Sequence, residues 1–204
     1  MTRRIFLALF LLPLVAVSVW FGVSTADAQN TAKKDYAVGD RLAKPAAKAA
    51  GGFRSITFDD LMPADWDPNA IFKQLDMESL QDNDPRAMEV MAKIKQAWEQ
   101  APVVPALNGQ KIRMAGFLVR LEGDEKHIRE FLLVPYFGAC VHVPPPPANQ
   151  VVHVIPDQPV PVGPDMGAVW VSDTLSLAAA KTDLGDAGYR IAAVKVEPYT
   201  EPPR

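Results

Sequence analysis

Two side chains suited to soft-metal or nucleophilic chemistry lie in Phe137-Gly-Ala-Cys-Val-His-Val-Pro-Pro-Pro-Pro-Ala-Asn-Gln150. They are Cys140, the only cysteine of the chain, and His142 two positions later. In an extended segment alternate residues share a face, which would set the two alpha carbons ~6.5 Å apart on one side of the chain. A thiolate and an imidazole so placed can hold one metal ion, zinc above all given mixed sulfur and nitrogen donors. They can equally form a thiol-imidazole pair in which the ring lowers the thiol pKa. His153, in Val151-Val-His-Val-Ile155, is the third candidate metal ligand if its strand returns beside Cys140. The bland alternative is open for each residue: an unpaired cysteine is among the most buried side chains, and a histidine often serves loop carbonyls. His127, in the polar stretch Glu122-Gly-Asp-Glu-Lys-His127, reads as a solvated hairpin histidine.

Prolines 144–147 fix φ and supply no amide hydrogen, so they make a stiff extended spacer after the Cys-x-His pair. The segment as a whole resembles the DUF3299 family, whose shared region runs from a hydrophobic strand through a Cys-x-His-x-Pro-rich turn to an Asn-Gln and a valine-rich strand. The resemblance is strong from Gly109 to Tyr199. It implies an exported bacterial protein, often encoded beside components of an ATP-binding-cassette transporter, and it brings no established activity.

No other motif points to an enzyme. The chain has no Gly-x-Ser-x-Gly elbow, no phosphate-cradling glycine loop and no His-Glu-x-x-His. Asp59-Asp60 and Asp82-Asn83-Asp84 suit turns and helix caps, and the glycine and terminal glutamate of a calcium loop are missing.

The positioning elements begin with a leader. Arg3 and Arg4 precede an apolar run from Ile5 to Val23, and Ala26-Asp27-Ala28 has the small residues of a cleavage site. We therefore expect export to the bacterial periplasm with Gln29 as the mature terminus. An uncleaved anchor is the alternative, since 19 apolar-run residues barely reach across a bilayer. No cysteine follows the run, so a lipid-modified terminus is not expected. The full chain has 204 residues and a formal charge of -3. Removing residues 1–28, with Arg3, Arg4 and Asp27, leaves 176 residues and a charge of -4. That balance gives no electrostatic reason to bind nucleic acid. One cysteine excludes an internal disulfide, so a hydrophobic core must supply the stability.

Residues 29–52 read as a flexible tether, and 53–106 as an arm and helical segment. The arm Phe53 to Trp66 is expected to pack on the main domain as a short strand and turn. A short helix from Pro68 to Leu80 should turn Ile71, Leu75 and Leu80 inward. A longer one from Asp84-Pro85 to Ala101-Pro102 carries Met88, Met91, Ile94 and Trp98 at helical spacing, read as a core face, with a partner-binding face for the Met88, Met91 and Trp98 stripe as the lesser alternative. Strands are expected over Lys111 to Leu121, bulged or strongly bent around Gly116, and over Glu130 to Tyr136, Gln150 to Ile155, Ala168 to Ser172 and Tyr189 to Val196. A helical or loop insert should fall near Leu175 to Leu184.

The fold class is therefore mainly β within α+β. Residues 107–200 should form a small OB-like antiparallel β-barrel, with the N-terminal helical segment packed on it and residues 53–200 one globular unit. An open antiparallel sheet with a helix across one face is the competing architecture. Two functions follow. One is a periplasmic accessory protein holding zinc through Cys140, His142 and His153 beside a membrane transporter or other envelope protein. The other is a non-enzymatic partner-binding scaffold with a structural cysteine, and thiol chemistry is a third, lesser possibility.

Overall fold

The computed structural model describes residues 36–43, 51–74, 85–163, 167–193 and 195–199. The leader and most of the tether lie outside that set. The described elements run β1 (Arg54–Ser55), α1 (Ala70–Gln74), α2 (Pro85–Glu99), β2 (Lys111–Gly123), β3 (His127–Val134) and β4 (Val152–Pro156). They continue with β5 (Val160–Pro161), β6 (Ala168–Ala180), β7 (Ala187–Ala193) and β8 (Lys195–Pro198).

Five strands close on themselves in the order β2-β3-β4-β7-β6, with β6 returning to β2. All neighbours in this ring are antiparallel except β4 and β7, which are parallel from Val152↔Tyr189 to Pro156↔Ala193. Closure is made by β2 and β6 from Lys111↔Thr174 to Phe117↔Ala168. The architecture is thus a mainly β closed barrel with few helices, and the extra strands β1, β5 and β8 continue its ladders.

Alternation dictates the core. Ile112, Met114, Phe131, Leu133, Val154, Val171 and Ile191 belong to one buried cluster, fed by every strand of the ring. Phe117, Val119, Leu132 and Val134, of opposite phase on β2 and β3, belong to a second cluster covered by Tyr36 and Phe137. The change of phase around Gly116 is therefore a change in which face is covered. It is not the expected bulge: the β2–β6 register is unbroken there, and β2 slips only beyond Arg120. Gly116 is required for another reason, since a Cβ there would lie 2.7 Å from Leu133 Cγ and 2.9 Å from Phe58 Cζ.

Other expectations also shift. The insert near Leu175 is instead the continuation of β6, because Leu175 pairs with Ile191 and is fully buried in the core. The single strand from Tyr189 to Val196 is two ladders, β7 and β8, both on β6, with residue 194 outside the description. Helix α2 has the expected span, but Met88 is 81% and Met91 54% exposed. Only its second half is anchored: Ile94 is buried, and Trp98 packs edge-on to Phe72 and donates its indole N–H to Pro68 O. Of the inward positions assigned to the first helix, Leu75 and Leu80 lie outside the described residues, and Ile71 is half-buried.

The arm is held by the barrel's own polar residues. Ile56, Phe58 and Leu61 join the main core, and Ile56 N–H bonds Arg113 O. The turn at Phe58–Leu61 is closed by Asp60, whose carboxylate accepts the Thr57 amide at 2.7 Å and hydroxyl at 2.9 Å. Gln150 donates to Phe58 O at 2.7 Å and Asn149 to Pro102 O at 2.8 Å. The fully buried Tyr189 donates its hydroxyl to Leu61 O and accepts the Val104 amide, at 2.8 and 2.7 Å. Burial raises the Tyr189 phenol pKa, with the Val104 amide opposing the shift.

Candidate functional site

Cys140 and His142 do not lie on an extended strand. After β3 the chain folds into a tight loop in which the amides of Val141, His142 and Val143 all point to Gly138 O, at 3.3, 2.8 and 3.2 Å. Cys140 has φ 66°, the one described non-glycine residue in the left-handed region, a conformation that costs about 1–2 kcal/mol in an L-residue. The alternation that would have aligned the thiol with the imidazole is therefore absent. Its loss follows from Gly138, itself at φ 83°, and from a turn that ends only at Val143. Cys140 is half-buried, packed against the second cluster, while His142 and Val141 are exposed. Burial pushes the Cys140 thiol up to about 11, so near neutral pH it is protonated and not a ready nucleophile.

His153 is elsewhere in its bonding. It is 5% exposed on β4, on the opposite face from Val152 and Val154, and its Nε2 lies 2.5 Å from Glu130 Oε1 of β3. Its Nδ1 is buried without a partner. Among the described residues no group of three or more His, Cys, Asp or Glu side chains is placed to hold a metal ion. The candidate ligands Cys140, His142 and His153 are thus not brought together as such a group. His127 opens β3 at a polar hairpin, where Asp124 accepts its amide at 2.8 Å. Amides from Lys126 and His127 hold the Asp124 carboxyl below its usual range.

What the loop does form is one wall of a groove of about 700 Å³, in the size range of small-molecule sites. Helix α2 contributes Met91, Ile94 and Trp98; the proline run contributes Pro144, Pro145 and Pro146. Cys140 and Leu184 complete the apolar lining. The β6–β7 connection adds Lys181, Asp183 and Asp186, and α2 adds Lys95 and Glu99, a pair 3.6 Å apart. Gly185 in that connection has φ 155°, and a Cβ there would approach Pro145 to 2.9 Å, so glycine lets the loop close on the prolines. Residue type alone did not reveal this site. Its sequence signals were the Cys140 and proline segment and the methionine and tryptophan stripe of α2, and the stripe reads as core unless the exposure of Met88 and Met91 is known.

No helix of the described residues is long and apolar enough to cross a membrane. A model of the family described as proteins of unknown function, DUF3299, matches residues 58–198. The crystal structure of a DUF3299 family protein from Pseudomonas aeruginosa is similar to this chain with a TM-score of 0.58 and 34% sequence identity, over 75% of this chain and 100% of that one. No curated protein matches.

Proposed function

Because the chain belongs to the DUF3299 family, whose description carries no activity, we propose a role from the site itself: an exported, non-enzymatic binding module that takes its partner in the groove between α2 and the proline run. One observation carries this reading. A groove of about 700 Å³ is lined by apolar side chains of α2, the proline run and the β6–β7 connection, with the half-buried Cys140 thiol in its wall. Exposed Met88 and Met91 extend the apolar surface along α2, and flexible methionine side chains suit a docking face.

The barrel supports the same view in its finer form. A ring in the order β2-β3-β4-β7-β6 with one parallel pair is an OB-like arrangement, and the connection between its fourth and fifth strands is a common ligand loop in such barrels. Here that connection is Lys181 to Asp186, at the groove. Export to the periplasm, beside a transporter or another envelope protein, rests on the leader ending at Ala28.

Zinc finds weaker support. Its three proposed ligands are a protonated thiol, an exposed imidazole and a ring already bonded to Glu130. Titrating zinc into the wild type, Cys140→Ser and His142→Ala checks it: tight binding lost in both variants would restore the metal reading.

The groove is tested by placing a photo-crosslinking residue at Met91 in cells, with the same residue at exposed Glu125 of the hairpin as control. We expect a discrete adduct at position 91 and none at 125. Equal labelling, or none, at the two positions would remove the groove from the proposal. The mass of the isolated protein tests export separately, with Gln29 expected as its first residue.

A further inference from the structure

We propose that the groove takes the hydrocarbon chain of a single-tailed amphiphile and that Lys181, Asp183 and Asp186 receive a zwitterionic head carrying both a phosphate and an ammonium group. This rests on the groove as the binding site and specifies its occupant. The first argument concerns backbone hydrogen bonds. One wall is α2, whose amides and carbonyls are satisfied within the helix, and another is a run of prolines with no amide hydrogen to offer. An extended peptide laid there would bury carbonyls with few donors to meet them, and an unmet buried polar group is costly. A hydrocarbon chain asks for no hydrogen bonds. It needs only the apolar surface that Met91, Trp98, Pro145 and Leu184 present.

Charge supplies the second argument. Lys181, Asp183 and Asp186 border the same groove, on one six-residue connection, and none of these side chains has an ionic or hydrogen-bonded partner among the described residues. One free cation beside two free anions complements a head group with one negative and one positive centre. It fits neither a purely anionic head, which the two aspartates repel, nor a neutral one.

The experiment uses the protein purified from cells and, as probe, lysophosphatidylethanolamine bearing a brominated 14-carbon chain, kept below its micelle concentration. Bromine in the groove should quench Trp98 saturably, and Trp98→Phe should remove the quenched component. Shortening the chain by two methylenes should weaken binding roughly tenfold. Lysophosphatidylglycerol, with no ammonium, should bind at least fivefold more weakly. Asp183→Asn with Asp186→Asn should abolish that preference while leaving the melting temperature unchanged, since both side chains make no internal bonds.

Absence of saturable quenching overturns the proposal, as does equal binding of both head groups in wild type and variant. A protein adduct at position 91 together with no quenching by any lysolipid would keep the binding-module reading and replace the amphiphile with an amphipathic protein segment.

Discussion

Two stretches separated by the same four prolines behave in opposite ways. Before them, Cys140 and His142 have the side chains of a reactive site, yet the tight loop leaves one half-buried and protonated and the other in solvent. After them, Asn149 and Gln150 have unremarkable amides, yet both are buried and bonded to carbonyls 47 and 92 positions away. The contrast teaches that chemical type does not locate the work a residue does; the bonds it is forced to satisfy do. The first stretch shapes a groove wall; in the second, Gln150, with Tyr189, fastens the arm to the barrel, and Asn149 ties down the segment after α2.

The sharpest way to break this contrast is Tyr189→Phe. It leaves Leu61 O and the Val104 amide without their partner, and each orphaned group costs about 1–3 kcal/mol. Chemical denaturation should show a loss of about 3 kcal/mol on that basis. A loss below that of Cys140→Ser would invert the comparison. Gly116→Val comes next, at about 1–3 kcal/mol, because its side chain must displace Leu133 and Phe58. A melting temperature within error of wild type would show that those side chains move aside freely.

Cys140→Ser should cost under about 1.5 kcal/mol, as expected of a half-buried, near-isosteric change. The thiol also predicts a pH signature. Its folded pKa, about 11, lies above the ordinary thiol value of 9.0. Its contribution is therefore fully present below pH 9 and is lost as pH rises through 11. Alkylation of the native protein should be slow at pH 7 and accelerate toward pH 11, and rapid labelling at pH 6 would revive thiol chemistry. Smallest of all, His142→Ala should change stability by no more than about 0.5 kcal/mol, being exposed. A larger loss would show that the imidazole holds the loop.

Much of the barrel was legible in the sequence because its strands alternate over long runs: all five ring strands fall where valine-rich or alternating segments predict them. The limits came from covering elements. Tyr36 and Phe137 bury the outer face of β2, so Phe117 imitates a bulge in the pattern. Leu175 looks like the end of a strand because Asp173 and Thr174, polar and partly exposed, interrupt the run before it resumes inward. The candidate site was less legible, since the left-handed Cys140 and the unpacked first half of α2 depend on backbone and tertiary context that spacing does not encode. The arm's fastening was missed because Gln150 and Tyr189 find their partners far away in the chain.

The seam between β2 and β6 joins residues 51 to 63 positions apart, from Phe117↔Ala168 to Lys111↔Thr174. The seam can form once the ribosome has released Thr174, yet the ring is not complete even then, because β7, which joins β4 to β6, is the last of its strands to leave the ribosome, at Ala193. Such long-range pairing is slow to nucleate. A nascent copy therefore has its ring strands in hand before it has the pairings that join them.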